Sequence, residues 1–176
     1  MNHSLPAGPL GLLFLLAGSL QVASAAPQAL FGSLSGFWIG PGRIEFAEGA
    51  SEALLCKAYY TTTGQADRLN IVLRCASRTN KIELRAKLTA EGPSLIGTWE
   101  ERTYNANGTV AGNAADGKIA LSIDGGGGFS ATMLVIQDRE HHSVSITAQG
   151  VGFKTVYVSL SRDAGDAAGK RDAAAE

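Results

Sequence analysis

The chain has little of what charged partners or membranes require. Its 15 Lys and Arg residues are outnumbered by 16 Asp and Glu residues, and the formal net charge is −1. The basic residues are scattered along the sequence, so a nucleic-acid partner is not expected. After residue 25 no apolar stretch approaches the length needed to span a bilayer. We therefore expect no membrane insertion of the mature chain.

The one long apolar run, residues 10–25, indicates an export signal. It is too short to cross a bilayer, and Ala23-Ser24-Ala25 supplies the small residues of a signal-peptidase site. The first Lys or Arg is Arg43, so before it only the amino terminus and His3 can supply the positive charge typical of such signals, and an apolar N-terminal helix is the alternative. We predict a signal peptide over residues 1–25 and a periplasmic or secreted protein.

The remainder of the chain is long enough for one domain, which we place at residues 26–162. The last residues, 163–176, are rich in Ala, Gly, Asp and Lys and have no strand pattern. We predict a disordered tail there, with a short C-terminal helix as the alternative.

Cysteine is scarce, and its two positions carry geometric information. If Gly64-Gln65-Ala66-Asp67 is the turn of an antiparallel hairpin, Cys56 and Cys75 face each other across neighbouring strands. In an oxidising compartment this arrangement predicts a disulfide. The alternative of a redox or metal role lacks a C-x-x-C motif and a neighbouring His.

Apolar residues alternate with polar ones in nearly every segment, which is the strand pattern. From Lys81 to Leu88 the even positions are apolar and the odd positions are charged, so one face is core and the other is solvated. Short turn signals, including Asn107-Gly108, Asp116-Gly117 and residues 124–128, separate the segments. The pattern predicts an all-β protein: an antiparallel meander of about 8–10 strands that closes into a small β-barrel.

A six-residue element occurs twice, as Ser33-Leu34-Ser35-Gly36-Phe37-Trp38 and as Ser94-Leu95-Ile96-Gly97-Thr98-Trp99. One interpretation is an ancient duplication. We favour the interpretation that the same local structural requirement occurs at both places. A Gly lets the strand bend, and a Trp two residues later fills the space on the same side.

The G-x-W at the start of the first predicted strand resembles the calycin group, which comprises lipocalins, avidins and their bacterial relatives. In lipocalins this Trp closes one end of the barrel and packs against an Arg near the end of the last strand. Here Arg162 directly follows the last predicted strand. In a closed meander with an even number of strands the first and last strands pair antiparallel, so barrel closure through a cation–π contact of Trp38 with Arg162 is expected.

The resemblance extends to small periplasmic β-barrel inhibitors of metalloproteases, which also have an early G-x-W and one disulfide. Those proteins act through an N-terminal segment inserted into the protease cleft. The corresponding segment here, residues 26–35, is short and mostly uncharged, which leaves this alternative open.

No constellation of residues indicates catalysis, so we predict no enzymatic activity. His141 and His142 are adjacent, lie near Asp138 and Glu140, and are interpreted as part of a solvated turn. Adjacent strand residues point to opposite faces, so the two His side chains are not expected to share a metal ion, and no cofactor is predicted. The same argument separates Glu100 from Glu101, against a glycosidase pair of carboxylates.

The interior of the barrel is the remaining candidate site. Tyr60 and Trp99 are predicted to line it, and Glu101 faces inward near a barrel mouth, where it could orient a ligand; a solvated Glu at the strand end is the alternative. The function predicted first is binding of a small, largely apolar ligand. The alternatives are an envelope protein-binding module, such as a protease inhibitor, and a structural envelope protein.

Overall fold

The computed structural model describes residues 27–163, which form one short helix and ten strands. The predicted signal peptide at residues 1–25 and the predicted tail from residue 164 onward lie outside the described residues. The elements in chain order are α1 (Pro27–Leu34), β1 (Gly36–Phe46), β2 (Ser51–Thr63), β3 (Arg68–Ala76), β4 (Lys81–Glu91), β5 (Ser94–Glu101), β6 (Ala106–Ala115), β7 (Lys118–Gly126), β8 (Phe129–Asp138), β9 (His141–Gln149) and β10 (Phe153–Arg162).

The ten strands form a closed antiparallel barrel in which each strand pairs with its neighbours in sequence. The first and last strands complete the ring, with Trp38 opposite Arg162 and Gly42 opposite Val158. Closure removes the exposed strand edges that an open meander would leave. The predicted fold class, an all-β meander that closes into a barrel, is confirmed.

The predicted hairpin between β2 and β3 has the expected register. Cys56 lies opposite Cys75, and the two form a disulfide. The inward face of this hairpin is apolar and mostly buried, as the alternation predicts; it includes Ala58, Tyr60 and Leu73.

The helix α1 was not predicted, and it closes one end of the barrel. Leu30, Phe31 and Leu34 are nearly or completely buried, at 7%, 0% and 1% exposure, and their spacing places them on one face of the helix. The helix contacts β2, β3 and β6, so it lies across the barrel rather than along its wall. We call this the helix end, and the opposite end, where the odd-numbered strands finish, the open end.

The two copies of the six-residue element have different structures. Ser33 and Leu34 end α1, whereas Ser94 and Leu95 begin β5. The two copies are alike in their second half, where Trp38 and Trp99 are both buried. A Cβ added at Gly97 would lie 2.1 Å from the Lys87 carbonyl oxygen, so the glycine permits a close approach of β4 and β5.

Two turn predictions are confirmed and one is wrong. Asp116-Gly117 connects β6 to β7 with positive φ at both residues, and Gly126–Gly128 form the tip between β7 and β8. Asn107-Gly108 lies within β6 instead, paired with Glu100 and Trp99. The turn comes earlier because Glu101 accepts a hydrogen bond from the Tyr104 amide at 2.7 Å and so stabilises a turn there.

Candidate functional site

The helix end is sealed by Trp38, whose side chain is fully buried. Its indole N–H donates a hydrogen bond of 2.7 Å to the carbonyl oxygen of Leu34, the last residue of α1. The Arg162 guanidinium lies over the ring, 4.3 Å from the centroid. The contact expected between Trp38 and Arg162 is therefore present.

Arg162 also fastens the helix to the barrel. Its guanidinium donates hydrogen bonds to the carbonyl oxygens of Ser35 at 2.8 Å and Ser33 at 2.6 Å, and it pairs with the Glu140 carboxylate at 2.9 Å. A cation at a helix C-terminus satisfies carbonyl groups that have no partner within the helix. Gly36 makes the approach possible: a Cβ there would lie 2.8 Å from Arg162 Nη1, and the backbone φ of +128° is one that glycine readily adopts.

Beneath Trp38, a polar pair is buried in the barrel. The Tyr60 hydroxyl lies 3.0 Å from His142 Nε2. The imidazole is 2% exposed and packs edge-to-face against the Trp38 ring at a centroid distance of 4.4 Å. His142 Nδ1 is also buried and has no hydrogen-bond partner among the described residues. Buried polar atoms without a partner are rare in folded proteins.

Burial determines the charge state of both groups. It raises the pKa of Tyr60 far above the ordinary value, so the hydroxyl stays protonated. It lowers the pKa of His142 to about 4, with a further contribution from the positive charge of Arg162. At neutral pH the pair is therefore an uncharged phenol and an uncharged imidazole.

The interpretation of His142 as part of a solvated turn is wrong. The chain does turn at Asp138–Glu140, but β9 already begins at His141, and alternation sends the next side chain inward. His141 is exposed, as predicted for both, and its Nδ1 lies 2.9 Å from the Ser161 hydroxyl. The signal was present in the sequence, because Val144, Ile146 and Ala148 continue the same inward series.

The open half of the barrel is packed unevenly: Leu54, Cys56 and Cys75 are buried there, whereas other inward apolar residues are not. Several apolar side chains that face inward are only partly buried, although they contact the core and lie within strands. Partial exposure at inward positions indicates that the inner side of the wall is incompletely filled beside them. Such positions occur on both walls of this half: Leu84, Ala86, Ile123, Met133 and Ile146.

Ten strands give a physical reason for this space. Barrel diameter grows with strand number, and a barrel of about eight strands is already wide enough to hold one small ligand. Ala86 is a short residue in the middle of the wall, between Ile71 and Trp99 in the register. Small side chains at such positions leave the interior unfilled.

Of the predicted ligand-binding residues, Trp99 lies in the open half. Its ring packs against Phe129 at a centroid distance of 5.4 Å, and its indole N–H donates to the Asp124 carbonyl oxygen at 3.1 Å. The Tyr60 hydroxyl is instead paired with His142 at the other end. The structure does not bring the two predicted residues together.

Glu101 is held at the rim of the open end. One carboxylate oxygen accepts a hydrogen bond from the Glu83 amide at 2.7 Å, and the other accepts one from the Tyr104 amide at 2.7 Å. The Glu52 carboxylate, on β2, likewise accepts hydrogen bonds from the side chains of Ser77, Thr79 and Asn80, and these hydrogen bonds lower its pKa. Both groups stabilise turns of the rim.

Comparison with solved structures shows which fold this is. The structure of Rv2717c from M. tuberculosis superposes with a TM-score of 0.65 at 15% identity, over 77% of this chain and 96% of that one. The S-type phycobiliprotein lyase CPES from Guillardia theta superposes with a TM-score of 0.58 at 12% identity, over 79% and 93%. Both are ten-stranded antiparallel barrels of the calycin-like type. The calycin-like resemblance holds for the fold.

At the level of sequence, no family model matches the chain. No curated protein matches it either. The fold likeness alone does not carry a function from one chain to another, because one fold serves many functions.

Three further observations concern the rest of the described molecule. A shallow groove on the outer face of β6–β9 is lined mainly by short polar residues such as Thr109, Ser122 and Thr132. Within residues 27–163, no three His, Cys, Asp or Glu side chains cluster as metal ligands. In the same range, no helix is long and apolar enough to cross a membrane.

Proposed function

We propose that this protein is exported and, without acting as an enzyme, binds a small, largely apolar ligand in the open half of the barrel. The observation that carries the proposal is the set of inward-facing apolar side chains that remain partly accessible there, on both walls of a ten-stranded barrel. An accessible interior lined by apolar groups gains free energy when an apolar molecule displaces water from it.

The fold likeness supports the proposal. One of the similar structures is an S-type phycobiliprotein lyase, whose name says that a protein of this fold acts on a phycobiliprotein. We infer that Trp99 and Phe129 contact the ligand at the open end. Tyr60 and His142 form the floor at the helix end, below the ligand.

The rim defines which ligands fit. Glu52 and Glu101 are the ionisable groups at inward positions of the described open half, and both carboxylates are already hydrogen-bonded. Their negative charges disfavour an anionic group inside the mouth. The proposed ligand therefore carries no negative charge where it enters the barrel.

The alternative of a protease inhibitor depends on an extended N-terminal segment. In the structure residues 27–34 are helical, and three of their apolar side chains are buried against the barrel. Inserting this segment into a protease cleft would expose Phe31 and remove the closure of the helix end. We therefore rank the inhibitor below the ligand carrier.

Native mass spectrometry of the protein, purified from its own compartment without detergent, tests ligand binding directly. We expect mass beyond that of the disulfide-bonded polypeptide, lost on denaturation. A bare polypeptide in the native spectrum, together with failure of the probe experiment below, would contradict a carrier function.

A neutral fluorescent probe tests the location of the site. We expect N-phenyl-1-naphthylamine to bind with enhanced emission and Ala86→Phe to weaken that binding at least about tenfold, because the larger ring fills the interior beside Trp99. Ala53→Phe is the matched control, since Ala53 is exposed on the outside of β2. Equal probe affinity in the two variants would place binding outside the barrel.

A further inference from the structure

The barrel has a strongly uneven charge distribution that the sequence does not reveal. Basic side chains from three neighbouring strands and two rim turns lie on one outer face near the open end. We call this set the basic patch: Lys57, Arg74, Arg78, Lys81, Arg85 and Arg102.

Strand pairing explains the clustering. Lys57 lies opposite Arg74 across β2 and β3, and Arg74 lies opposite Glu83 across β3 and β4. Arg78 belongs to the turn between β3 and β4, and Arg102 follows β5. Residues that are far apart in sequence thus meet on one face.

The carboxylates on this face do not neutralise it. Glu83 is shared by Arg74, Arg85 and Arg102 at 3.3 to 3.5 Å, and Arg85 also reaches Glu100 at 4.0 Å. Lys57, Arg78 and Lys81 form no salt bridge with any residue in 27–163. On the outer face, six cations against Glu83 and Glu100 leave a surplus of four positive charges, and counting the inward rim carboxylates Glu52 and Glu101 still leaves two, in a chain whose formal net charge is −1.

Exposed apolar side chains accompany the charges. Tyr104 is 64% exposed on the rim, where its hydroxyl bonds the Asn80 side chain, and Leu55 is 57% exposed on β2. A Tyr beside a basic surface suits the interface between water and lipid headgroups, where its ring contacts apolar groups and its hydroxyl stays solvated. Nucleic acids and acidic proteins also present negative charge, but they have no apolar layer beneath it as a lipid bilayer does.

We infer that the basic patch docks the barrel on an anionic phospholipid surface, with the open end close to the lipid. Each Lys or Arg near such a surface contributes about 1 kcal/mol of attraction, which falls off within a Debye length. Docking in this orientation would shorten the path of an apolar molecule between membrane and barrel. The docking itself does not depend on the proposed ligand.

Co-sedimentation with vesicles tests this inference on the full chain. We expect binding to vesicles of roughly three parts phosphatidylcholine to one part phosphatidylglycerol, little binding to phosphatidylcholine alone, and release at about 0.5 M NaCl. An apolar N-terminal segment would bind both kinds of vesicle, so the difference between them isolates the electrostatic contribution. Equal binding to the two vesicle types would overturn the inference.

A matched pair of double variants locates the contact. Lys57→Glu with Lys81→Glu changes two patch residues without breaking a salt bridge, and we expect at least about a tenfold loss of affinity for the anionic vesicles. Lys118→Glu with Arg139→Glu makes the same change in net charge at the helix end, and there we expect less than about a twofold loss. Similar losses in both would show that overall charge, and not the patch, is responsible. If the patch variant fails to fold, the inference is tested by the natural chain alone, through its preference for anionic vesicles and its release by salt.

Discussion

Replacing Trp38 with alanine is expected to lower the free energy of unfolding by about 3 to 5 kcal/mol. The side chain is fully buried and contacts the helix, the strand partner Arg162 and the His142 ring. Its loss would leave a cavity at the helix end and release the C-terminus of α1. Urea denaturation of the variant and of the natural chain measures the difference.

Trp99→Ala provides the comparison for this measurement. Trp99 is also buried, but its neighbours Ala86 and Phe129 are only partly buried, so its removal should leave a less enclosed cavity. We expect a smaller loss there than at Trp38. A loss under about 1 kcal/mol for Trp38→Ala would contradict its role in closing the barrel.

Acidification is expected to destabilise the protein through His142. The folded pKa of about 4 lies below the ordinary value of 6.5, so between these values the unfolded chain binds more protons. Stability is therefore complete above about pH 6.5 and falls as the pH decreases. The expected loss is about 2 kcal/mol between about pH 7 and pH 5, and about 3 kcal/mol by pH 4.

The neighbouring histidine supplies the control. Urea denaturation at about pH 7 and pH 5 should show the loss in the natural chain and in His141→Gln, because His141 is exposed. In His142→Gln the difference between the two pH values should largely disappear, whatever the starting stability of that variant. A variant at position 142 that retains the full pH dependence would show that other groups cause it.

Much of the barrel could be predicted because antiparallel pairing is local and regular. The register of Cys56 with Cys75 followed from one assumed turn, and alternation from Lys81 to Leu88 separated core from surface. The pairing of β1 with β10 followed from closure of a meander with an even number of strands. The contact of Trp38 with Arg162 came from that topology together with the calycin resemblance.

The missed features depend on contacts between elements that are distant in sequence. Residues 27–34 have no polar face that marks an amphipathic helix, and they are ordered by the barrel end that they cover. His142 was interpreted as part of a turn because its neighbours are polar. Had the alternation of β9 been extended one residue toward the N-terminus, it would have predicted an inward-facing His142. The basic patch is visible only when β2, β3 and β4 are placed side by side.

The order of the strands has a consequence for how the chain folds. Every strand pairing but one joins neighbours along the chain, so hairpins can form in succession with little loss of chain entropy. The seam between β1 and β10 is different, since it joins the first and last strands of the chain, with Trp38 opposite Arg162. The disulfide between β2 and β3 does not bridge that seam. We expect the seam to form last during folding and to open first during unfolding, so that Trp38 and Arg162 govern the lifetime of the closed ring.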